Sequence, residues 1–405
     1  MAWQVDGRYP TFARSTPGGY NGCEMSARYP LVQFNGHLLS GDASYRSAGI
    51  SVYIASLLAK FGAGDYGIRM QAHLGRGVQI EGGSIAVVRS RFATHRPWAR
   101  ILWEQVVLPV AARKSRADVL HAPAFVGPLA TRCPTVVTVH DLSFLRYPEM
   151  FRTGNRLYLR TLTGPSCRRA AAVIAVSAFT AREVTQLLGV PSERVVVVHH
   201  GVAPRFHPID EVTVSEFRRR MQLPERFVLF LGTLEPRKNL IRLIRAFALL
   251  KDPDVHLVLA GAQGWFYQDI LREVERLGLS GRVHFPGFVA SGEQALWYNA
   301  ADVFAYVSIY EGFGMPVLEA LACGTPTITS STTSLPEAGG EGAVLVQPDD
   351  EQAIATAIHE VLSDGDLRTR LRRRGLEHAM GFSWTTAAQK TAEVYRQAAQ
   401  GRFAP

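Results

Sequence analysis

No stretch of eighteen apolar residues occurs in the 405-residue chain, so no bilayer-spanning helix is expected. Residues 1–30 also lack the apolar core of a secretory signal. They carry Gly18-Gly19, Asn21-Gly22 and three prolines, and read as a mobile N-terminal tail. These two absences point to the cytosol. The four cysteines, Cys23, Cys133, Cys167 and Cys323, stand at neither metal nor disulfide spacing and are read as reduced and structural. No His/Cys cluster has zinc-ligand spacing. Short-period repeats and low-complexity tracts are missing. So are an aromatic-rich RNA motif and a helix-turn-helix cue, which leaves nucleic acid without a binding element.

Acidic balance is missing from one half only. Residues 1–205 hold 24 Lys+Arg against 11 Asp+Glu, a net +13, whereas residues 206–405 hold 20 against 24, a net −4. A basic half suits an anionic partner such as phospholipid or a phosphorylated acceptor. It suits a solvated arginine-rich surface as simply. One stretch concentrates the charge: Arg89, Arg91, Arg96, Arg100, Arg113, Lys114 and Arg116 surround Trp98, Ile101 and Trp103 on a helix predicted over 97–113. A basic amphipathic helix of this kind can rest on anionic lipid, giving peripheral membrane contact. The plainer account packs its apolar residues on a sheet and leaves the arginines in water.

Short β-branched runs alternate with helical stretches from residue 31 onward. In the first half, strands are predicted at 31–34, 119–120, 136–140, 173–176 and 195–198, with a helix over 50–61. In the second, strands are predicted at 227–231, 255–260, 283–285, 303–306 and 325–329. The runs are apolar throughout, the pattern of strands covered on both faces by helices. Strand-helix-strand order with short links predicts an α/β protein of two doubly wound parallel-sheet units, 31–205 and 206–384, with a final helix over 385–399. Such a pair places a ligand where the strands' carboxyl ends face a crevice.

Three elements sit at those ends. Glu311-Gly-Phe-Gly-Met-Pro-Val-Leu-Glu319 follows a strand and enters a helix near Pro316. Gly312 and Gly314, with Phe313 between them, allow close backbone approach to a ligand. The free N–H groups of the helix start suit phosphate oxygens. Glu319 can accept from a ribose, and Glu311 lies where a sugar on the diphosphate would reach. Gly232-Thr-Leu-Glu-Pro-Arg237-Lys238-Asn239 follows another strand. Its adjacent cations can neutralise a diphosphate, Arg237 in bidentate fashion and Lys238 as a point charge. Fixed cations there stabilise the charge that grows on a leaving diphosphate. In the first half, a buried β run ends at His140-Asp141, where His140 can orient a sugar or acceptor hydroxyl. His199-His200 ends a further strand and is read as structural.

Taken together, these residues resemble the retaining glycosyltransferases of family 4 (GT4), which have the GT-B fold. Glu311 and Glu319 match the E-x7-E element, Gly232 with Arg237, Lys238 and Asn239 the G-x4-R-K-N element, and His140-Asp141 the His-Asp element. Val176-Ser-Ala-Phe-Thr180 matches a further family segment. Gly287-Phe-Val289 looks like the loop that meets the nucleotide base, which makes Val289 a candidate contact. The family's glycine pair near the first helix is matched by Gly49 alone, and Ser51 stands where a charge often lies.

The resemblance implies Rossmann-like domains facing across a cleft, with the last helix, in 385–405, crossing back onto the first domain. It implies transfer of a hexose, with retention, from a nucleotide-diphosphate sugar to a glycan or lipid-linked acceptor. It assigns Glu311 to the donor sugar, Glu319 to ribose, Arg237 and Lys238 to the diphosphate, and His140 to the neighbourhood of the transferred sugar. No metal or cofactor is implied, because the cations stand in for one. The wording around His140 is most similar to mannosyltransferase-like members of bacterial polysaccharide pathways. Two other readings remain at this point: a nucleotide-sugar 2-epimerase, which also uses two facing α/β domains, and a non-catalytic sugar-nucleotide sensor.

Overall fold

The computed structural model describes residues 29–39, 48–75, 78, 80, 83–90, 97–150 and 153–403. Most of the N-terminal tail, Cys23, Arg91, Arg96 and the loop before Ala48 therefore lie outside the described residues. The first unit has seven strands: β1 Leu31–Gly36, β2 Arg69–Leu74, β3 Ala86–Arg89, β4 Val119–Ala122, β5 Thr135–Val139, β6 Ala172–Ala175 and β7 Val195–Val197. Their order is β3-β2-β1-β4-β5-β6-β7, and every pairing is parallel. The second unit has β8 Arg226–Leu231, β9 Val255–Ala260, β10 Val283–Gly287, β11 Val303–Tyr306, β12 Thr327–Ser330 and β13 Ala343–Val346. Its order is β10-β9-β8-β11-β12-β13, again all parallel.

The central strands are apolar because helices cover both faces. Every residue of β5, Thr-Val-Val-Thr-Val, is buried, as is every residue of β8 after Arg226. Each sheet reverses its winding once, between β1 and β4 and between β8 and β11. Those two switch points open the crevices in which doubly wound folds hold ligands.

The helix predicted over 97–113 is one rod interrupted in its middle. Pro97–Leu102 leads into a π-helical turn, Trp103–Val107, and then Leu108–Ser115. The extra residue in a π turn lets two consecutive side chains, Trp103 and Glu104, both point inward. Trp103 packs with Leu108, Ala112 and Leu120. The arrangement predicted for this helix therefore splits: Trp103 is core, Ile101 is half-buried, and Trp98 is 63% exposed.

The chain crosses between the units twice, at one place. Val202 N donates to Phe382 O at 3.0 Å, and Val202 bridges Ser383 in parallel. Ser383 then caps the helix Trp384–Ala399 by accepting from Thr386 N. This helix packs on the first sheet: Trp384, Ala388, Ala392 and Tyr395 join Val32, Phe34, Ile54 and Leu57 in one core. The Tyr395 hydroxyl lies 2.6 Å from His121 Nδ1 beneath β4.

Candidate functional site

Site construction starts at the second switch point. After β8 the chain turns through Pro236–Lys238, and Asn239 takes a left-handed conformation (φ 62°) before the helix Leu240–Ala248. Asn is among the few residues that tolerate this geometry. Its side chain pins the turn by donating to Val307 O at 3.0 Å and Pro348 O at 2.5 Å. Asn239 thus anchors the loop, and the loop presents Arg237 and Lys238.

After β11 the chain brings Glu311 to the same point. Lys238 Nζ lies 2.6 Å from Glu311 Oε1 and 2.6 Å from the Tyr306 hydroxyl. Arg237 Nη1 donates to Glu311 Oε2 and to Tyr310 O, both at 3.0 Å, while Nη2 meets Glu235 Oε1 at 3.0 Å. Tyr306 also donates to Glu311 Oε1 at 3.0 Å. Burial opposes ionisation of Glu311, but Arg237 and Lys238 outweigh it and hold the carboxyl at about 2. The cluster is thus two cations balanced by two carboxylates, nearly closed to water.

Glu319 does not join this ion pair. It sits on the helix Met315–Ala322 and accepts from the Tyr298 hydroxyl at 3.0 Å. Burial pushes its carboxyl up to about 7. Gly314 has φ 110°, where an added Cβ would stand 2.8 Å from a Leu335 methyl, so this helix start requires glycine. A Cβ on Gly312 would stand 1.7 Å from the His140 carbonyl oxygen. The glycine loop of one unit is therefore packed on the His140-Asp141 turn of the other.

The His140 ring donates through Nε2–H to Pro123 O at 2.8 Å, and burial lowers its pKa. Asp141 faces its own chain: its Oδ1 accepts from Ser143 N at 2.9 Å and Ser143 Oγ at 2.5 Å. His199 and His200, read from sequence as structural, line the same wall. His200 stacks on His140 at 5.6 Å and meets Phe313 edge-on at 5.2 Å. His199 stacks on Phe313 at 5.7 Å and bonds Glu337 Oε1 at 2.5 Å. Among the sequence candidates, Gly232 and Val289 lie at the carboxyl ends of β8 and β10, and Val289 is buried in the second core. Gly49 is not drawn into the cluster; a Cβ there would meet nothing within 4 Å. Sequence reasoning passed over Tyr306, Glu235, Tyr310 and Glu183. Their signal was faint: Glu235 lies within the quoted Gly232–Asn239 segment but was given no role, and the others are single polar residues outside the quoted motifs.

Family comparison follows this geometry closely. Residues 47–206 match the model for glycosyltransferase family 4, and residues 214–378 the model for glycosyl transferases group 1. The chain belongs to this glycosyltransferase family. It is 32% identical over 290 residues to the O-antigen chain mannosyltransferase B of Escherichia coli, covering 71% of this chain and 76% of the relative. The transferase shares its fold with a sucrose-phosphate synthase from Thermosynechococcus elongatus, at a TM-score of 0.71 and 22% identity, covering 91% of this chain and 98% of that one. It also shares it with Anabaena HepE in complex with UDP-glucose, at a TM-score of 0.68 and 21% identity, covering 90% and 98%. The architecture is thus GT-B, and membership favours nucleotide-sugar transfer over the epimerase and sensor readings. Among the described residues, no helix of this transferase is long and apolar enough to cross a membrane.

Proposed function

We propose that the transferase moves a hexose, with retention of configuration, from a nucleotide-diphosphate sugar to a glycan or lipid-linked acceptor. One observation carries this reading: Lys238 and Arg237 converge on Glu311 in a buried site at the β8/β11 switch point. Two fixed cations at a strand end suit a diphosphate, whose leaving charge they stabilise without reorganisation. With the diphosphate bound there, Glu311 faces the attached sugar, and Glu319 takes the ribose. Gly312, Phe313 and Gly314 supply the close backbone, Val289 backs the base, and His140 stands beside the transferred sugar with Asp141 next to it. Because the cations already neutralise the diphosphate, the reaction needs no added metal. The likeness to an O-antigen mannosyltransferase supports GDP-mannose as donor, and HepE's UDP-glucose makes a UDP-sugar the alternative. Thermal denaturation with GDP-mannose, UDP-glucose and ADP-glucose separates these, since only a ligand of the native state raises the midpoint. A flat response to all three would end the reading.

A surface feature supports a site of action at the cytoplasmic face of an anionic membrane. Trp98, Leu102, Val106 and Val110 are all exposed, at intervals of four along the rod from Pro97 to Ser115. On the neighbouring helix Thr153–Arg169, which meets the rod through Tyr158 and Glu104, Leu157 is also 65% exposed. The π turn takes up the drift that a spacing of four would otherwise produce. Arg113, Lys114, Arg116 and Arg160 are exposed near its end and on that neighbouring helix, within the unit that carries +13. An apolar strip rimmed by cations matches the interface of an anionic bilayer in both depth and charge.

A further inference from the structure

The segment Val176-Ser-Ala-Phe-Thr180 has no part in the reaction as read above, yet it binds the two units together. Ser177 caps the first-unit helix Ala178–Leu188 by accepting from Thr180 N at 3.0 Å. Its hydroxyl and that of Thr180 both donate to the carbonyl oxygen of Gly312, at 2.6 and 3.0 Å. Three residues further along the same helix face, Glu183 accepts from the Tyr310 hydroxyl. Tyr310 in turn accepts from Leu142 N at 3.0 Å, and Arg146 steadies Glu183 at 2.8 Å. Tyr310 and Gly312 are the immediate neighbours of Glu311. The first unit therefore grips the chain on both sides of a carboxylate that the second unit carries.

These contacts are dry. Ser177 and Thr180 are fully buried and Glu183 nearly so. Water cannot replace a hydroxyl lost there, so the Gly312 carbonyl would lose one of its two donors with nothing to take its place. A second tie lies alongside: Ala178 N donates to both oxygens of Glu337 at 2.9 Å. By contrast, Arg237, Lys238 and Glu319 belong wholly to the second unit.

We propose that Ser177, Thr180 and Glu183 are positioning residues: this helix of the first unit sets the place of the Glu311 carboxylate by holding the residues on either side of it. The proposal rests on the reading of Glu311 as the group that meets the transferred sugar. On that reading the nucleotide contacts lie at Arg237, Lys238 and Glu319, so loosening this grip should cost turnover and spare nucleotide affinity. Misplacement of a reacting group by about 1 Å costs on the order of a hundredfold in rate.

The test uses Thr180→Val, which keeps the shape and removes the hydroxyl, Thr180→Ser, which restores it, and Tyr310→Phe. Nucleotide affinity is measured by calorimetry with GDP and UDP. Turnover is followed as nucleoside diphosphate released from GDP-mannose or UDP-glucose, and amide exchange is followed over residues 308–314. Nucleotide Kd should stay within about twofold in all three. Turnover should fall about 10- to 100-fold in Thr180→Val and Tyr310→Phe and return in Thr180→Ser, while exchange across 310–314 speeds about tenfold in the two slow variants. Equal loss of affinity and turnover would overturn the proposal, as would Thr180→Ser as slow as Thr180→Val, or unchanged exchange in both slow variants. Should the wild type bind neither nucleotide, the transfer reading fails, and the exchange measurement still decides the grip on residues 310 and 312.

Discussion

Lys238 Nζ lies 2.6 Å from Glu311 Oε1, so the cation assigned to the donor is neutralised by the carboxylate assigned to its sugar. On the proposed assignment, a diphosphate entering the cleft would take over that charge and release Glu311 toward the sugar. Lys238→Ala is therefore expected to slow transfer by about 100-fold or more and to weaken donor binding. Glu311→Gln should cost turnover, and Glu319→Gln mainly donor affinity. Steady-state kinetics on folded variants checks the split, and equal small effects in Glu311→Gln and Glu319→Gln would sink the separate roles.

Chelation should leave the rate unchanged. On the proposed assignment, Arg237 and Lys238 supply two fixed positive charges where a divalent ion would otherwise meet the diphosphate. Activity in excess EDTA should match the untreated enzyme, and the anomeric proton of the product should show the donor's configuration by NMR. An EDTA-sensitive rate or an inverted product refutes the respective half of this prediction.

Gly312→Ala tests the contact between the units. The new methyl would begin 1.7 Å from the His140 carbonyl oxygen, a backbone atom that cannot swing aside. Transfer should fall about 100-fold or more, because the glycine loop must retreat from the cleft. Circular dichroism should show both sheets intact. A variant with near-normal activity would mean that the two loops need not touch during catalysis.

The apolar strip makes a prediction about lipid. Sedimentation with phosphatidylglycerol-containing vesicles should carry the protein down at low salt and release it as salt rises. Trp98→Ser combined with Val106→Ser should abolish binding and leave turnover of a water-soluble acceptor intact. Failure of the wild type to sediment at low salt would retire the membrane contact.

Glu104 predicts a pH dependence. Burial pushes its carboxyl from an ordinary value near 4.5 up to about 7, against the opposing pull of Arg100 and the Tyr158 hydroxyl. The folded chain therefore prefers the protonated form. Stability from this group is full below about pH 4.5 and is lost as pH rises to about 7, on the order of 3 kcal/mol across that span. Glu104→Gln cannot ionise and should flatten the descent. Urea midpoints at pH 5 and pH 8 measure it, and parallel behaviour of variant and wild type would show that Glu104 does not titrate in this range.

Much of the architecture was legible because its strands are covered on both faces. Continuous runs such as Val-Val-Thr-Val in β5 have no other reading in this context. β2 escaped notice because Arg69, Gln71 and His73 interrupt it, and Gln71 and His73 find their hydrogen-bond partner in Gln33 of β1, which no local pattern reveals. The motif residues were legible as well, since glycines and paired charges after strands have few structural uses. The wall opposite them was not. His199 and His200 become neighbours of Phe313 only through the folding of both units, and no local pattern announces a contact between residues more than a hundred positions apart. Trp98 and Trp103 sit five residues apart, about 140° round an α-helix, and so face different ways, but the π turn that begins at Trp103 also turns Glu104 inward beside it, a local event with no mark in the periodicity.

Gly201 has no room for a side chain: a Cβ there would stand 2.0 Å from the backbone nitrogen of Trp384, where the returning chain enters its last helix. Order along the gene and membership of a folded body therefore part company. A fragment ending near residue 205 would lack Trp384, Ala388 and Tyr395, each buried in the first unit's own core. It would expose an apolar trough along β4, β5 and β6 and be prone to aggregate. Efforts to express the halves separately must graft the helix Trp384–Ala399 onto the first, and the ribosome must pass that helix before the earlier body can be completed.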